Sequence, residues 1–479
     1  MMAKSRTKHS GIFSVISVLM FTAALLAAAL LATMAGCTIS LDGFQTGGSQ
    51  TDLSQSPEFQ HYERSHFGFF RALSSYQFVS ELGVHWERPH PGPFIWGEVE
   101  KEEGTYDWSG IDGYVGTSQE YGMLLVATIW PYANWDQVRC HEKLPDTRRL
   151  FSILGDYRGK PCDPEAYRRF VQAMVERYDG DGKDDMPGLV YPIKYWEVIN
   201  EPDIAEGSLF FKGDPQDADY LEVLTATHDT IKAVDSGAKV LNGGIAYLSE
   251  KELPFWRSIL EGPGADYIDV ITIHSITQGE GLQLEALNRL MDELGLDKPV
   301  WVTEIQYAKS TAFFQARGIV PDEESEINPT GLHGLTEDEW SAVLVRSFVE
   351  AFGRGADKLF YLGLDNSTPT EENSLLVRCE AKPGAVRGDP YDPALCQRQK
   401  PFYAFKTMVE KLDYFDSAEK LAEGQFRFTV DGRSVYVLWG SLPLPAEISG
   451  TIIMSDIYGV QREVEAEDVV LSDVPIFLE

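Results

Sequence analysis

Past about residue 60, short apolar runs rich in β-branched and aromatic residues alternate with stretches whose apolar positions recur at helical spacing. That pattern predicts a parallel sheet covered by helices. The strand candidates are 66–70, 83–88, 123–130, 195–200, 239–245, 267–274, 300–304 and 358–364. Most are apolar throughout and close on a polar or charged residue, as strands buried on both faces do. Between them, Asp163-Pro164 supplies an N-cap and a first-turn proline for a helix with the stripe Tyr167, Phe170, Val171, Met174, Val175 and Tyr178. Thr336 and Glu339 form a capping-box signature before Trp340, Val343, Leu344 and Phe348, with Gly353 and Gly355 as stop signals. Eight strand–helix pairs in succession predict an α/β fold, a (β/α)8 TIM barrel over 59–412 with long loops. A doubly wound open sheet is the alternative, but no glycine-rich phosphate turn follows an early strand.

The pattern changes near residue 413. Runs at 425–430, 434–439 and 451–454, with Asp431-Gly432 as a hairpin turn, predict a small accessory β-domain over 413–479. Its sheet is expected to take in the segment near the start of the barrel.

The N-terminus follows a different logic. Lys4, Arg6 and Lys8 precede an apolar run from Ile12 to Ala35, and the run ends at Met34-Ala35-Gly36-Cys37. Basic, apolar and small-residue regions in that order mark a secretory signal over 1–36. The cysteine after Ala35-Gly36 resembles the lipobox of bacterial lipoproteins, which implies cleavage before Cys37 and acylation of its thiol. An uncleaved transmembrane anchor is the rival, since the run is long enough to span a bilayer. Either way the remainder is expected outside the cytoplasm, lipid-anchored to the cell envelope in the first case. Residues 37–58 are rich in Ser, Gln, Gly and Thr and read as a flexible tether.

Four cysteines remain: Cys140, Cys162, Cys379 and Cys396. An even count in an exported chain suggests two disulfides. Nearest-neighbour pairing closes one short loop each, although three pairings are possible; metal ligation lacks a CxxC or HxxxH spacing. The formal charge is −33, and loss of Lys4, Arg6 and Lys8 with the leader takes it to −36. Such a surface repels phosphate backbones and disfavours nucleic acid, but not neutral sugars.

Reactive groups of TIM barrels lie at the C-terminal ends of the strands. Asn200-Glu201-Pro202 ends the fourth predicted strand and Thr303-Glu304 the seventh, so two carboxyls reach one rim. Glycoside cleavage needs such a pair, one protonated for the leaving oxygen and one ionised to attack the anomeric carbon. Each charge raises the cost of ionising the other, which divides the roles.

The runs Trp196-Glu197-Val198-Ile199-Asn200-Glu201-Pro202 and Val300-Trp301-Val302-Thr303-Glu304 resemble the paired signatures of glycoside hydrolase clan A. The closest flavour is the β-xylosidase and α-iduronidase family with its cellulase-like relatives. Gly83-Val84-His85-Trp86-Glu87-Arg88, Gly104-Thr105-Tyr106-Asp107-Trp108 and Ala127-Thr128-Ile129-Trp130-Pro131 carry the likeness across the barrel. Val437-Leu438-Trp439-Gly440 is similar to the accessory β-domain of these relatives. The resemblance implies a retaining O-glycosidase acting on β-linked oligo- or polysaccharides without metal or organic cofactor, with Glu201 as acid/base and Glu304 as nucleophile. By the same carry-over Asn200 meets the sugar 2-hydroxyl, Arg88 favours the charged nucleophile, and His274 stands near it. One departure is the eighth strand, Phe360-Tyr361-Leu362-Gly363-Leu364-Asp365-Asn366, which lacks the tryptophan that floors the first sugar subsite in many members.

Trp130 and Trp135 are candidates to stack on sugar faces, against ordinary packing. His85 and His90 lack a metal-site spacing. The run Glu98, Glu100, Glu102 and Glu103 reads as a solvated loop, as does the acidic loop with Asp322, Glu323, Glu324 and Glu326. The alternative of another class is a silent sugar-binding lipoprotein; a third reading keeps the same site but transfers sugars to acceptors other than water.

Overall fold

The apolar runs pair in chain order. The computed structural model describes residues 52–144, 152–204, 210–250, 252–276, 282–306, 335–366, 374–380 and 391–479. Its first eight strands are β1 (Phe67–Phe70), β2 (Trp86–Arg88), β3 (Leu124–Ile129), β4 (Tyr195–Val198), β5 (Lys239–Leu241), β6 (Ile271–Ile276), β7 (Val300–Gln306) and β8 (Ala356–Tyr361). They lie parallel in the order β5-β4-β3-β2-β1-β8-β7-β6. Parallel bridges Leu241–Val270 and Ile245–Ile273 join the two ends and close the ring. The expected (β/α)8 barrel is the fold.

Strand ends differ from expectation where local chemistry intervenes. The run 195–200 stops at Val198 because Ile199 (φ 66°) and Glu201 (φ 44°) leave extended geometry. The run 239–245 stops at Leu241, where the Asn242 side chain takes over: its Oδ1 accepts from Thr272 N–H (2.7 Å) and its Nδ2 donates to Thr272 C=O (2.9 Å). Residues Pro263–Tyr267 form a 3-10 turn, so β6 begins later than 267.

Alternation along each strand divides the barrel interior into layers, because residues i and i+2 share a face. The lower layer is apolar: Trp86, Leu124, Val126, Leu241, Trp301 and Phe360 pack with Phe59. Two residues further along, Arg88, Thr128 and Glu197 make the layer above polar. At the base, Lys358 Nζ donates to the carbonyls of Glu63 (2.6 Å) and Ser65 (2.5 Å) beside the rings of Trp86 and Trp301. Burial lowers its pKa to about 8.

The expected helix signals are present. Asp163 accepts from Glu165 and Ala166 N–H at the start of Pro164–Tyr178, whose stripe is buried as expected. Thr336 and Glu339 complete a capping box for Glu337–Gly353. Regular structure, however, is present before the tether boundary expected at 58. Ser56 caps a helix, Pro57–Glu63, and Phe59 is buried under the barrel. The signal segment 1–36, Cys37 and the first part of the tether lie outside the described residues, as do Asp322, Glu323, Glu324 and Glu326.

A hairpin of β9 (Val377–Cys379) and β10 (Cys396–Arg398) follows the barrel. Both nearest-neighbour disulfides form, Cys140–Cys162 and Cys379–Cys396. The C-terminal sheet contains β11 (Phe415–Ala422), β12 (Gln425–Val430), β13 (Arg433–Leu438), β14 (Thr451–Ser455), β15 (Gln461–Glu465) and β16 (Ile476–Leu478), in the order β11-β12-β13-β16-β14-β15. Every pair in it is antiparallel. Contrary to expectation, among the described residues it takes in no strand from the segment near the start of the barrel. That segment touches it through side chains instead: His66 stacks on Phe415, centroids 3.7 Å apart.

Candidate active site

Arg88 organises the mouth of the barrel. Its Nε donates to Glu197 Oε2 (2.8 Å), Nη1 to Glu304 Oε1 (2.9 Å) and Nη2 to Asn200 Oδ1 (2.5 Å). Burial works against its charge, but the Glu197 and Glu304 carboxylates outweigh it and the pKa is raised. Glu197 is fully buried and also accepts from Thr128 Oγ1 (2.7 Å). Its burial pushes the carboxyl upward against the pull of Arg88.

Glu201 reaches the same place on a strained turn. Ile199 and Glu201 both adopt positive φ, which costs on the order of 1–3 kcal/mol per non-glycine residue and tends to concentrate at functional sites. Glu201 N–H donates to Gly243 C=O (2.5 Å). A Cβ at 243 would meet Val198 O at 2.7 Å and Pro202 Cδ at 2.9 Å, so glycine is what lets the two loops close. Glu304 arrives by another route. The register between β6 and β7 shifts between Ile273 and His274, so that His274 stands opposite Glu304, as a bulge re-aims a side chain.

These devices bring the two acids together. His274 Nδ1 lies 2.8 Å from Glu201 Oε1 and its Nε2 3.8 Å from Glu304 Oε1. One carboxylate oxygen of each glutamate and one ring nitrogen of His274 lie within 4.8 Å of one another. Such a trio could in principle ligate a metal, but Arg88 already places a permanent cation on Glu304 and would repel a second one.

Five of the expected residues therefore converge: Glu201, Glu304, Arg88, Asn200 and His274. Two do not. Trp130 has no exposed surface, donates to Pro91 C=O (2.6 Å) and packs near His90, Tyr132 and Phe210. It presents no ring face to a sugar in this structure. Trp135 donates to Glu100 C=O (2.7 Å), sits edge-on to Trp96 and carries Arg139 over its ring. In the run expected as a solvated loop, Glu98, Glu102 and Glu103 are exposed, but Glu100 is buried and accepts from Trp96 Nε1 (2.5 Å) and Gly104 N–H (2.6 Å).

Three site residues carry no motif signal of their own. Glu197 was readable only as an inward-facing acid two positions beyond Tyr195 on a buried strand. Asp203, two residues past Glu201, is buried and accepts from Ala246 and Tyr247 N–H (3.1 and 3.4 Å). Tyr247, half-buried after β5, has its hydroxyl pKa raised by burial and by the charges of Glu201, Asp203, Glu252 and Glu304.

No protein-family model matches the sequence, and no curated protein matches it significantly. Solved structures do resemble it. A family 39 glycoside hydrolase from the gut symbiont Bacteroides cellulosilyticus WH2 superposes with a TM-score of 0.59 at 17% identity, covering 87% of this chain and 81% of that one. A GH39 β-xylosidase from Caulobacter crescentus gives 0.52 at 14%, covering 89% and 93%. A glucosidase from Croceicoccus marinus gives 0.51 at 14%, covering 87% and 95%. At these identities the likeness is one of fold.

Proposed function

We propose that this chain is a retaining glycoside hydrolase that cleaves β-linked oligo- or polysaccharides, with Glu304 as nucleophile and Glu201 as acid/base. The observation that carries the proposal is that one carboxylate oxygen of Glu201 and one of Glu304 lie within 4.8 Å of each other. Retaining enzymes hold their carboxyls about 5–5.5 Å apart, whereas inverting ones need roughly 6.5–9.5 Å to admit a water. The names of the fold neighbours, a family 39 glycoside hydrolase, a β-xylosidase and a glucosidase, support the same class.

In this reading Glu304, ion-paired with Arg88, attacks the anomeric carbon while Glu201 gives its proton to the departing oxygen. The C–O bond to the leaving group breaks as the glycosyl ester on Glu304 forms. Glu201, now ionised, takes a proton from water, whose oxygen displaces Glu304 and restores both groups. Asn200 gives its Oδ1 to Arg88, leaving its amide NH2 as the donor for the sugar 2-hydroxyl. His274 links the two acids and fits a role in holding them in register. Early-time ¹H NMR of the released sugar tests the mechanism: the account requires a product with the anomeric configuration of the substrate, and inversion contradicts it.

The leader is proposed to export the chain, and Cys37 to anchor it by lipid outside the cytoplasm. Replacing Cys37→Ala should abolish incorporation of labelled palmitate; incorporation that persists contradicts the anchor.

A further inference from the structure

We propose that Glu197 is a positioning residue that acts on Glu304 and Asn200 through Arg88: it fixes the guanidinium and divides its charge between two carboxylates. The inference rests on the reading of Glu304 as nucleophile. Glu197 and Arg88 have no exposed surface. Glu197 Oε2 accepts from Arg88 Nε (2.8 Å) and Thr128 Oγ1 (2.7 Å), and lies 2.7 Å from Arg88 Nη2. The Nε–Nη2 edge of the guanidinium is thereby fixed, and its remaining donors are directed. Nη1 goes to Glu304 Oε1 (2.9 Å), and Nη2 also reaches Asn200 Oδ1 (2.5 Å). The nucleophile and the residue for the sugar 2-hydroxyl thus take their places from one cation, and that cation takes its place from Glu197.

The same contacts divide the charge. Three donors on one carboxylate oxygen favour the ionised form of Glu197, against the upward push of burial. No second Lys or Arg pairs with Glu197 or Glu304 among the described residues. The other polar groups facing the two are Thr128 from β3, Asn200 and Glu201 from the turn after β4 and Tyr220 from the helix Gln216–Val234. Tyr247 from the loop after β5 and His274 from β6 complete the set. One guanidinium facing two carboxylates leaves an excess negative charge. That excess offsets part of the pull of Arg88 on Glu304. A nucleophile with the cation to itself would be held more firmly as the anion and would attack less readily.

Glu197→Gln removes the charge and keeps the contacts. The amide oxygen can take the place of Oε2, and the NH2 falls where Oε1 is buried without a partner. The full-length chain is assayed with 4-nitrophenyl β-xyloside or β-glucoside, whichever the wild type hydrolyses. The acid limb of kcat/KM should move to lower pH by about one unit, because Glu304 then has Arg88 to itself. Thr128→Val is the structural control: it disturbs the same buried contact, keeps the charge, and should leave the limb in place. A folded E197Q whose acid limb coincides with wild type overturns the proposal, as does a T128V that moves it equally far. ¹³C NMR titration of the side-chain carboxyls in the wild type, with Glu197 assigned by its displacement in T128V, needs no E197Q protein. An ionised Glu197 at neutral pH is expected, and a protonated one there overturns the charge sharing. A wild type inactive on every glycoside would sink the enzymatic reading, and the titration would still decide whether Arg88 serves two ionised carboxylates.

Discussion

Arg88 and Glu304 are 2.9 Å apart and both buried, and the same guanidinium also holds Glu197 at 2.7 Å. One cation thus compensates two carboxylates in the barrel interior. Removing it leaves both without their permanent countercharge in a medium where an uncompensated buried charge is costly. Arg88→Met is expected to lower stability by about 3–5 kcal/mol. Its kcat/KM should fall at least about 100-fold, roughly 2.7 kcal/mol of transition-state stabilisation. Thermal melts and steady-state kinetics check both, and an R88M chain that melts like wild type would contradict the account.

Gly244 backs the ring of His274. It has φ of +54°, and a Cβ there would collide with the imidazole Nε2 edge. Gly244→Ala therefore both strains the backbone and displaces the residue that links the two acids. Activity should fall together with melting temperature. Unchanged kcat/KM in G244A would show that the placement of His274 does not matter for turnover.

Asp179 is 2% exposed, and burial, with the charges of Asp181 and Asp185, raises it to about 7 from an ordinary 3.8. Between those values the folded chain binds the proton more tightly than the unfolded chain. Stability contributed by this group therefore falls as pH rises from about 4 to about 7, and the deficit is complete above that. Asp179→Asn should melt higher than wild type at pH 7.5, with the gap closing toward pH 4. An equal gap at both ends in calorimetry would contradict the assignment.

Cys140–Cys162 and Cys379–Cys396 close loops of sequence separation 22 and 17. Loops of this size constrain the unfolded chain by about 3 kcal/mol each. Replacing Cys140 and Cys162 together by serine should lower denaturant stability by about that amount. Thiol titration of the native protein should find none of the four free; a reactive thiol among them contradicts the pairing.

The barrel was legible because strands buried on both faces are apolar without interruption, and the glutamates because each closes such an apolar run in the sequence, even though β4 itself stops at Val198 and β7 continues to Gln306. Asp203, Tyr247 and Glu197 were not, since their importance comes from which loops and faces meet, and spacing does not encode that. Trp130 illustrates the converse: an aromatic after a strand end reads alike whether it lines the cleft or fills the core, and Trp130 is fully buried whereas Trp135 stays partly exposed. Ser56-Pro57 did carry a helix-start signal, but the polar composition around it masked the apolar pair Phe59 and Tyr62 that anchors the helix.

The most direct measurement is to trap the enzyme with an activated 2-deoxy-2-fluoro β-glycoside and locate the adduct by peptide mass spectrometry. The account predicts a single glycosyl ester on Glu304. A label on any other residue, or steady turnover of the parent glycoside with no covalent species formed, would contradict it.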